Sequence, residues 1–429
     1  MTSRLSDLLK LDHPIIQAPM AGGATTVELV SEASKAGVLG SLGAAYLTPE
    51  QIETAAAGIR ARTDRAFGIN LFAAVPEQPY QGDASRMLAL LARYHAQLGL
   101  PAPVAPGPQA DPLPGQIEAV LRVKPAVLSF TFGRLPADVL AGCRELGILT
   151  VGTATTVREA VALEQDGVDA VVAQGAEAGG HRGTFLDDFE HSLIGTMALV
   201  PQVADAVSIP VIASGGIMDG RGIAAALALG ADAAQMGTAF LATDEAGIGD
   251  AYKAALPASR PEQSRITRAF SGRPARGIVN AFMRDADQLS DDILPYPLQN
   301  ALTRPMRTAG GKAGNIAVLS LWAGQGAPLA RRESTAALVA RLARETAAAR
   351  GRGCRPAFPG RIRSVPGLFP QAKTLFHGQP YPTAVTIHRA TMAPRRRVRR
   401  VFSRPRLMSN RALPDAARLA RAGRFPARA

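Results

Sequence analysis

Cysteine is almost missing from this chain. Its two cysteines, Cys143 and Cys354, stand far apart and without the spacing of a metal-ligand pair. That count suggests neither a disulfide framework nor a zinc site, and a reducing compartment, read as the cytoplasm, is expected. No segment approaches the roughly 18 uninterrupted apolar residues of a membrane-spanning helix, and the opening "MTSRLSDLLKLDHP" lacks the apolar core of a signal peptide. A soluble protein without a membrane partner is the expectation. The six histidines are scattered, with no HExxH or other paired spacing, so no metal is expected. Also missing are a GxGxxG turn after the first apolar run and a Walker-type lysine loop, which disfavours a nicotinamide-binding Rossmann domain.

Acidic residues are scarce in one region only. After residue 345 stand 18 Arg and one Lys against the single acid Asp415, whereas residues 1–345 carry 29 basic and 34 acidic side chains. The net charge of +13 therefore belongs to the tail, and the body is mildly acidic. Residues 350–429 are rich in Arg and Pro, include "RRRVRR" from Arg395, show no sustained period and are read as disordered. The same composition arises when a GC-rich gene is translated in another frame. A nucleic-acid-binding arm is the competing reading, but the acidic body opposes it, so no nucleic-acid partner is expected.

What is present is a repeated theme. With 47% hydrophobic residues over 429 positions, the chain can bury one large domain with additions, or two ordinary ones. Eight apolar runs recur: "PIIQAP" from Pro14, "LGSLGAA" from Leu39, "AFGINLF" from Ala66, "AVLSFTF" from Ala126, "LTVGTA" from Leu149, "AVVAQG" from Ala170, "PVIASGG" from Pro210 and "AAQMGTAFL" from Ala233. Between them lie stretches of helical period that end in Gly, such as "VREAVALEQDG". Strands without polar alternation, separated by single helices, predict a parallel sheet covered by helices. Eight units over about 240 residues fit a closed (β/α)8 TIM barrel, with an open doubly wound sheet as the alternative. The predicted division is a barrel over 1–243 and 311–349, a helical cap inserted after the eighth strand over 244–310, and the tail over 350–429. A second insertion, residues 76–116, carries the helix-like "ASRMLALLARYHAQLG" and a Pro-rich stretch.

A barrel enzyme assembles its site at the C-terminal strand ends, so the residues just after each run become candidates. "SGG" (Ser214 to Gly216, with Gly215) and "MGT" (Met236 to Thr238, with Gly237) close the seventh and eighth runs. Together with Gly179 and Gly180 after the sixth, they offer backbone N–H groups to a phosphate-bearing cofactor or substrate. Tight strand-to-helix turns are the plainer use of such glycines. Asn70 and Gln174 are amides able to donate to and accept from the edge of a heterocycle. Met20 and its following glycines leave room for a flat ring, although a lone Met is more often core. In "AQGAEAGGHRG", His181 is the outstanding titratable group, with a pKa suited to proton exchange near neutrality. Glu177 would orient that ring or pair with Arg182.

These residues also carry a likeness. "PIIQAPMAGG", "GINLF", "SFTFG", "AQGAEAGGHRG", "ASGGIMDGRG", "AQMGTAFL", "SGRPARG" and "LWAGQG", in this order, resemble the nitronate monooxygenases, class I, over roughly residues 5–345. The resemblance implies a TIM-barrel flavoprotein that binds FMN non-covalently, oxidises alkyl nitronates such as propionate 3-nitronate with O2, and detoxifies nitro compounds without NAD(P)H. By position it implies FMN contacts from Asn70, Gln174, Gly179, Gly216, Gln235, Met236, Gly237 and Thr238, and a catalytic base at His181. The family often places tyrosines and a lysine in the cap, where "YPLQNALTRPMR" has Tyr296, Asn300 and Arg304; Tyr296 and Arg304 are the expected substrate-binding residues, Arg304 standing in for the lysine. The alternative function is an FMN-dependent NAD(P)H oxidoreductase of the enoyl-ACP reductase or quinone reductase type. The oligomeric state is read as monomer or homodimer.

Overall fold

Each of the eight apolar runs forms a parallel strand, and the strands close on themselves. The computed structural model describes residues 3–73, 82–107 and 110–351. The strands, in chain order, are β1 (Ile15–Gln17), β2 (Gly40–Gly43), β3 (Phe67–Phe72), β4 (Val127–Thr131), β5 (Leu149–Ala154), β6 (Ala170–Gln174), β7 (Gly180–His181), β8 (Val211–Ser214), β9 (Ala233–Met236), β10 (Ser264–Thr267) and β11 (Ala275–Ile278). Eight of them form one parallel sheet in the order β1-β9-β8-β6-β5-β4-β3-β2. Its two edges meet through an Ile16–Leu39 bridge, where Gln17 N–H donates to Leu39 O at 2.9 Å and Leu39 N–H to Ile15 O at 3.1 Å. That closure makes the sheet a TIM barrel and removes the open doubly wound alternative. The helices between strands start where the turn residues dictate: Thr26, Thr48, Thr156 and Asp219 each accept a first-turn N–H, and Gly167 ends a helix in the left-handed region.

Strand alternation divides the barrel interior into an apolar floor and a polar mouth. Ile16, Leu39, Val127, Val151, Val172 and Ile212 pack with Leu5, Leu9 and Leu11, so the N-terminal helix Arg4–Leu9 plugs the lower end. Each such aliphatic side chain contributes about 1.5–3 kcal/mol when fully buried. Two residues further along the same strands, the inward positions are Ala18, Ser129, Thr153, Gln174 and Ser214, which line a cavity.

The insertion after β9 is part helix and part sheet. It holds the helices Asp250–Ala258, Ala281–Asp287 and Leu298–Lys312, and the antiparallel pair β10 and β11. β11 also pairs with β7, with Ala275 opposite His181 and Arg276 opposite Gly180, so the cap is stitched to the loop after β6. The helix Ser85–Gln97, from the insertion after β3, buries Met87, Leu91 and Tyr94 against Phe270, Phe282 and Met306 of the cap. The two insertions thus share one small core. The helix Thr335–Gly351 docks on Gly220–Ala228, with Glu345 accepting from Gly220 N–H at 3.1 Å. Among the described residues no helix is long and apolar enough to cross a membrane. The expectation of a disordered tail falls on residues 352–429, outside the described residues, as do positions 74–81 and 108–109 of the other loops.

Candidate active site

One cavity of about 280 Å³ opens at the C-terminal strand ends. Met20, Asn70, Gln174, Gly179, Gly180, His181, Gly215, Gly216, Gln235, Met236, Gly237 and Thr238 all line it. Residues separated by more than two hundred positions are therefore brought together as the strand-end reading anticipated. Tyr296 and Arg304 are not among its lining residues. No carboxylate lines it among the described residues, and these contain no group of three or more His, Cys, Asp or Glu able to hold a metal.

The loop after β6 is held by its own polar groups. Gln174 donates from Nε2 to His181 O at 3.0 Å and accepts from Gly183 N–H at 2.9 Å, leaving one N–H and one lone pair of the amide for a ligand. Arg182 is fully buried and donates to the carbonyls of Gly175, Gln174 and Ser192, which pins the loop from beneath. Glu177 neither orients His181 nor bonds Arg182. Its carboxylate accepts from Thr196 N–H at 2.9 and 3.0 Å and from Thr196 Oγ1 at 2.8 Å, capping the helix Thr196–Ala206, whose N-cap Gly195 has no side chain to do so. Gly179 is required for a close chain approach: a Cβ there would stand 2.5 Å from the backbone of Ala323 and Gly324. Its glycine thus serves loop packing as well as the cavity wall.

Two backbone N–H groups on the cavity lining are without a partner among the described residues. Gly216 adopts φ +69°, and neither its N–H nor that of Gly237 bonds a partner among the described residues. Unpartnered amides on the loops after the seventh and eighth barrel strands are donors that a phosphate could use. Asn70 donates to Ser129 Oγ at 3.0 Å and leaves its own Oδ1 free for a ligand N–H. Apolar side chains of Met20, Ala18 and Ile217 also line the cavity. These groups suit a flat heterocycle that carries a phosphate.

The lining is also aromatic and cationic. His181 is half-buried, its accessible face lining the cavity, and its Nε2 lies 2.8 Å from Ser271 Oγ. Its ring stands edge-on to Phe72, Phe132 and Tyr296, at centroid distances of 6.2, 5.5 and 6.4 Å, and tilted to Trp322 at 5.6 Å. Burial, and then the charges of Arg273 and Arg307, push its pKa down to about 3, so the imidazole is neutral near pH 7. Arg307 lines the cavity and is fixed by Asn300 O at 2.9 Å, Asn300 Oδ1 at 2.7 Å and Thr303 Oγ1 at 3.2 Å, with no carboxylate partner among the described residues. Burial lowers its pKa to about 10, so it stays charged. Arg273 lies 4.0 Å above the Phe132 ring and donates to Thr184 O at 2.6 Å.

The cap guanidinium in the cavity is therefore Arg307, in place of the expected Arg304. Seven residues are nearly two helical turns, which sets Arg307 about 20° from Asn300 around the axis, whereas Arg304 lies about 40° to the other side. Arg304 is exposed and stacks on the outside of Tyr46, 5.6 Å from its ring. Tyr296 is outside the lining, its ring against Phe72 and Phe132, and burial raises the pKa of its phenol and of that of Tyr46. Arg307, Tyr46, Ser271 and Trp322 were not singled out from the sequence. The motifs "SGRPARG" and "LWAGQG" contained two of them, and the spacing of Asn300 and Arg307 was the available signal for a third.

Comparison with known proteins agrees with this geometry. A family model described as nitronate monooxygenase matches residues 2–345. A probable nitronate monooxygenase of Staphylococcus aureus (strain MSSA476) is 41% identical over 329 residues, covering 76% of this chain and 92% of that protein. The crystal structure of nitroalkane oxidase from Streptomyces ansochromogenes is 43% identical, with a TM-score of 0.75, and the alignment covers 81% of this chain and 99% of that one. FabK from Thermotoga maritima is 28% identical, with a TM-score of 0.66 over 82% of this chain and 98% of that one.

Proposed function

Because the chain belongs to the nitronate monooxygenase family, and is an oxidoreductase of that family, we propose that it oxidises alkyl nitronates, propionate 3-nitronate among them, with FMN bound non-covalently in the barrel mouth and O2 as electron acceptor. When bound, FMN supplies an isoalloxazine ring that takes electrons from the nitronate and passes them to oxygen. The remaining work belongs to the chain. Gly216 and Gly237 N–H would hold the phosphate, while Asn70 and the spare valences of Gln174 meet the ring edge, beside Met20, Gly179, Gly180, Gly215, Gln235, Met236 and Thr238. Arg307 would bind the anionic substrate by a charge-assisted, bidentate contact. Phe72, Phe132 and Tyr296 surround His181 with apolar surface that limits water. Neutral His181 would take the proton from nitroalkanes that arrive unionised. Removing toxic nitro compounds in a reducing cytoplasm is the role this chemistry suits; the lone described cysteine, Cys143, is buried with its pKa pushed up to about 11.

The observation that carries the reading is a cavity whose lining unites unpartnered loop amides with Arg307 and His181, with no carboxylate on its described wall. The FabK likeness supports a second reading, an FMN-dependent NAD(P)H oxidoreductase, but at 28% identity against 43% for the nitroalkane oxidase. The test is oxygen uptake by the purified flavoprotein with propionate 3-nitronate and no nicotinamide nucleotide. Uptake with nitrite release is expected; a requirement for NAD(P)H would favour the second reading.

A further inference from the structure

Ser271 has one hydroxyl proton and three neighbours, and this count decides the state of His181. Its Oγ lies 2.8 Å from His181 Nε2, donates to Arg273 O at 3.1 Å, and accepts from Arg273 N–H at 3.3 Å. Two assignments are possible. If the hydroxyl turns to His181 Nε2, Arg273 O loses its hydrogen bond and one Oγ lone pair goes unused. If Nε2 carries the ring proton, Oγ accepts from both Nε2–H and Arg273 N–H and donates to Arg273 O, so all three contacts are satisfied at once. Ser271 is buried, at 2% exposure, so a lone pair left unused on its Oγ is largely shielded from solvent. The other ring nitrogen, Nδ1, has no hydrogen-bond partner among the described residues and is not sealed from solvent, while its ring lines the cavity.

We propose that Ser271 is a positioning residue that holds His181 as the Nε2–H tautomer, so that the lone pair on Nδ1 faces the substrate. The proposal rests on the reading of the cavity as a nitronate site. For a neutral nitroalkane, the substrate Cα–H bond would break, its proton would pass to Nδ1, and its electron pair would stay with the substrate as the nitronate. The imidazolium so formed keeps its Nε2–H bond to Ser271 Oγ, and no heavy atom need move. The turn Ser271–Arg273 is joined through β11 to β7, which carries His181, so acceptor and ring are fixed by the same small sheet.

The test is nitrogen-15 NMR of the flavin-loaded, full-length protein labelled at histidine, with His181→Asn to assign the resonances. In the wild type, Nε2 is expected to be protonated and Nδ1 unprotonated between about pH 5 and 8. Ser271→Ala should give a mixture of tautomers at retained flavin content, and Ser271→Thr should restore the single form. Protonated Nδ1 in the wild type, or an unchanged tautomer in Ser271→Ala, would overturn the proposal. Turnover of preformed nitronate by the wild type tests the underlying functional reading separately, because that substrate needs no base.

Discussion

At the scale of single residues, charge in a confined space separates Arg307 from Arg304. Both lie on the helix Leu298–Lys312, yet only Arg307 lines the cavity. A charge-assisted hydrogen bond contributes about 1.5–3 kcal/mol, so Arg307→Met should raise the KM for propionate 3-nitronate roughly 10- to 100-fold. Arg304→Ala, which removes an exposed side chain, should change it less than about 3-fold. Steady-state kinetics of the two variants checks the ranking; the reverse order would return the anchor to Arg304. His181 makes a separate prediction through linkage. Its folded pKa, about 3, lies below its ordinary value of 6.5, so between those values the unfolded chain binds the extra proton. Stability contributed by this group is therefore full above pH 6.5 and declines as the pH falls towards 3, by up to about 1.4 kcal/mol per unit. Denaturant unfolding at pH 7.5 and 5.5 should show a smaller acid loss in His181→Asn than in the wild type. Equal losses would contradict a desolvated, neutral ring.

At the scale of elements, the loop after β6 is a rigid frame rather than a flexible glycine lid. Arg182 pins it to three carbonyls, β7 ties it to the cap, and Glu177 joins it to the helix Thr196–Ala206. Glu177→Ala should cost about 1–2 kcal/mol, the range for loss of a helix cap, read as a lower denaturant midpoint; an unchanged midpoint would show that the cap carries no load. The strands and their terminal glycines were legible in the sequence because both signals are local: an apolar run without alternation, then a turn residue. Asn70, Gln174 and His181 followed from that placement. Glu177 was not legible, because its partner Thr196 lies 19 positions away and becomes adjacent only once the loop has folded. Ser271 stood inside a recognised motif, but its bond to His181 spans 90 positions and depends on the β7–β11 pairing.

At the scale of the molecule, the barrel separates packing from chemistry along each strand. Inward positions near the N-terminal ends close an apolar floor, and those two residues further on open into the cavity. The apolar runs revealed the barrel, but the shared core of the two insertions did not show itself: the Tyr94 ring meets that of Phe282 across almost half the chain, and no local pattern links them. That core sets the azimuth of the helix Leu298–Lys312, and hence which arginine enters the site. On the proposed reading, the positive charge of Arg307 in a mouth without a described carboxylate would favour anions locally, although the body carries more acidic than basic residues. The central claim is that a nitronate, and not a nicotinamide, delivers electrons to a flavin in this mouth. Anaerobic mixing of the yellow protein with propionate 3-nitronate, followed by its visible absorbance, tests it most directly. Loss of the oxidised flavin bands with the nitronate alone, and their persistence with NADPH alone, is the predicted result; bleaching by NADPH with none by the nitronate would contradict it.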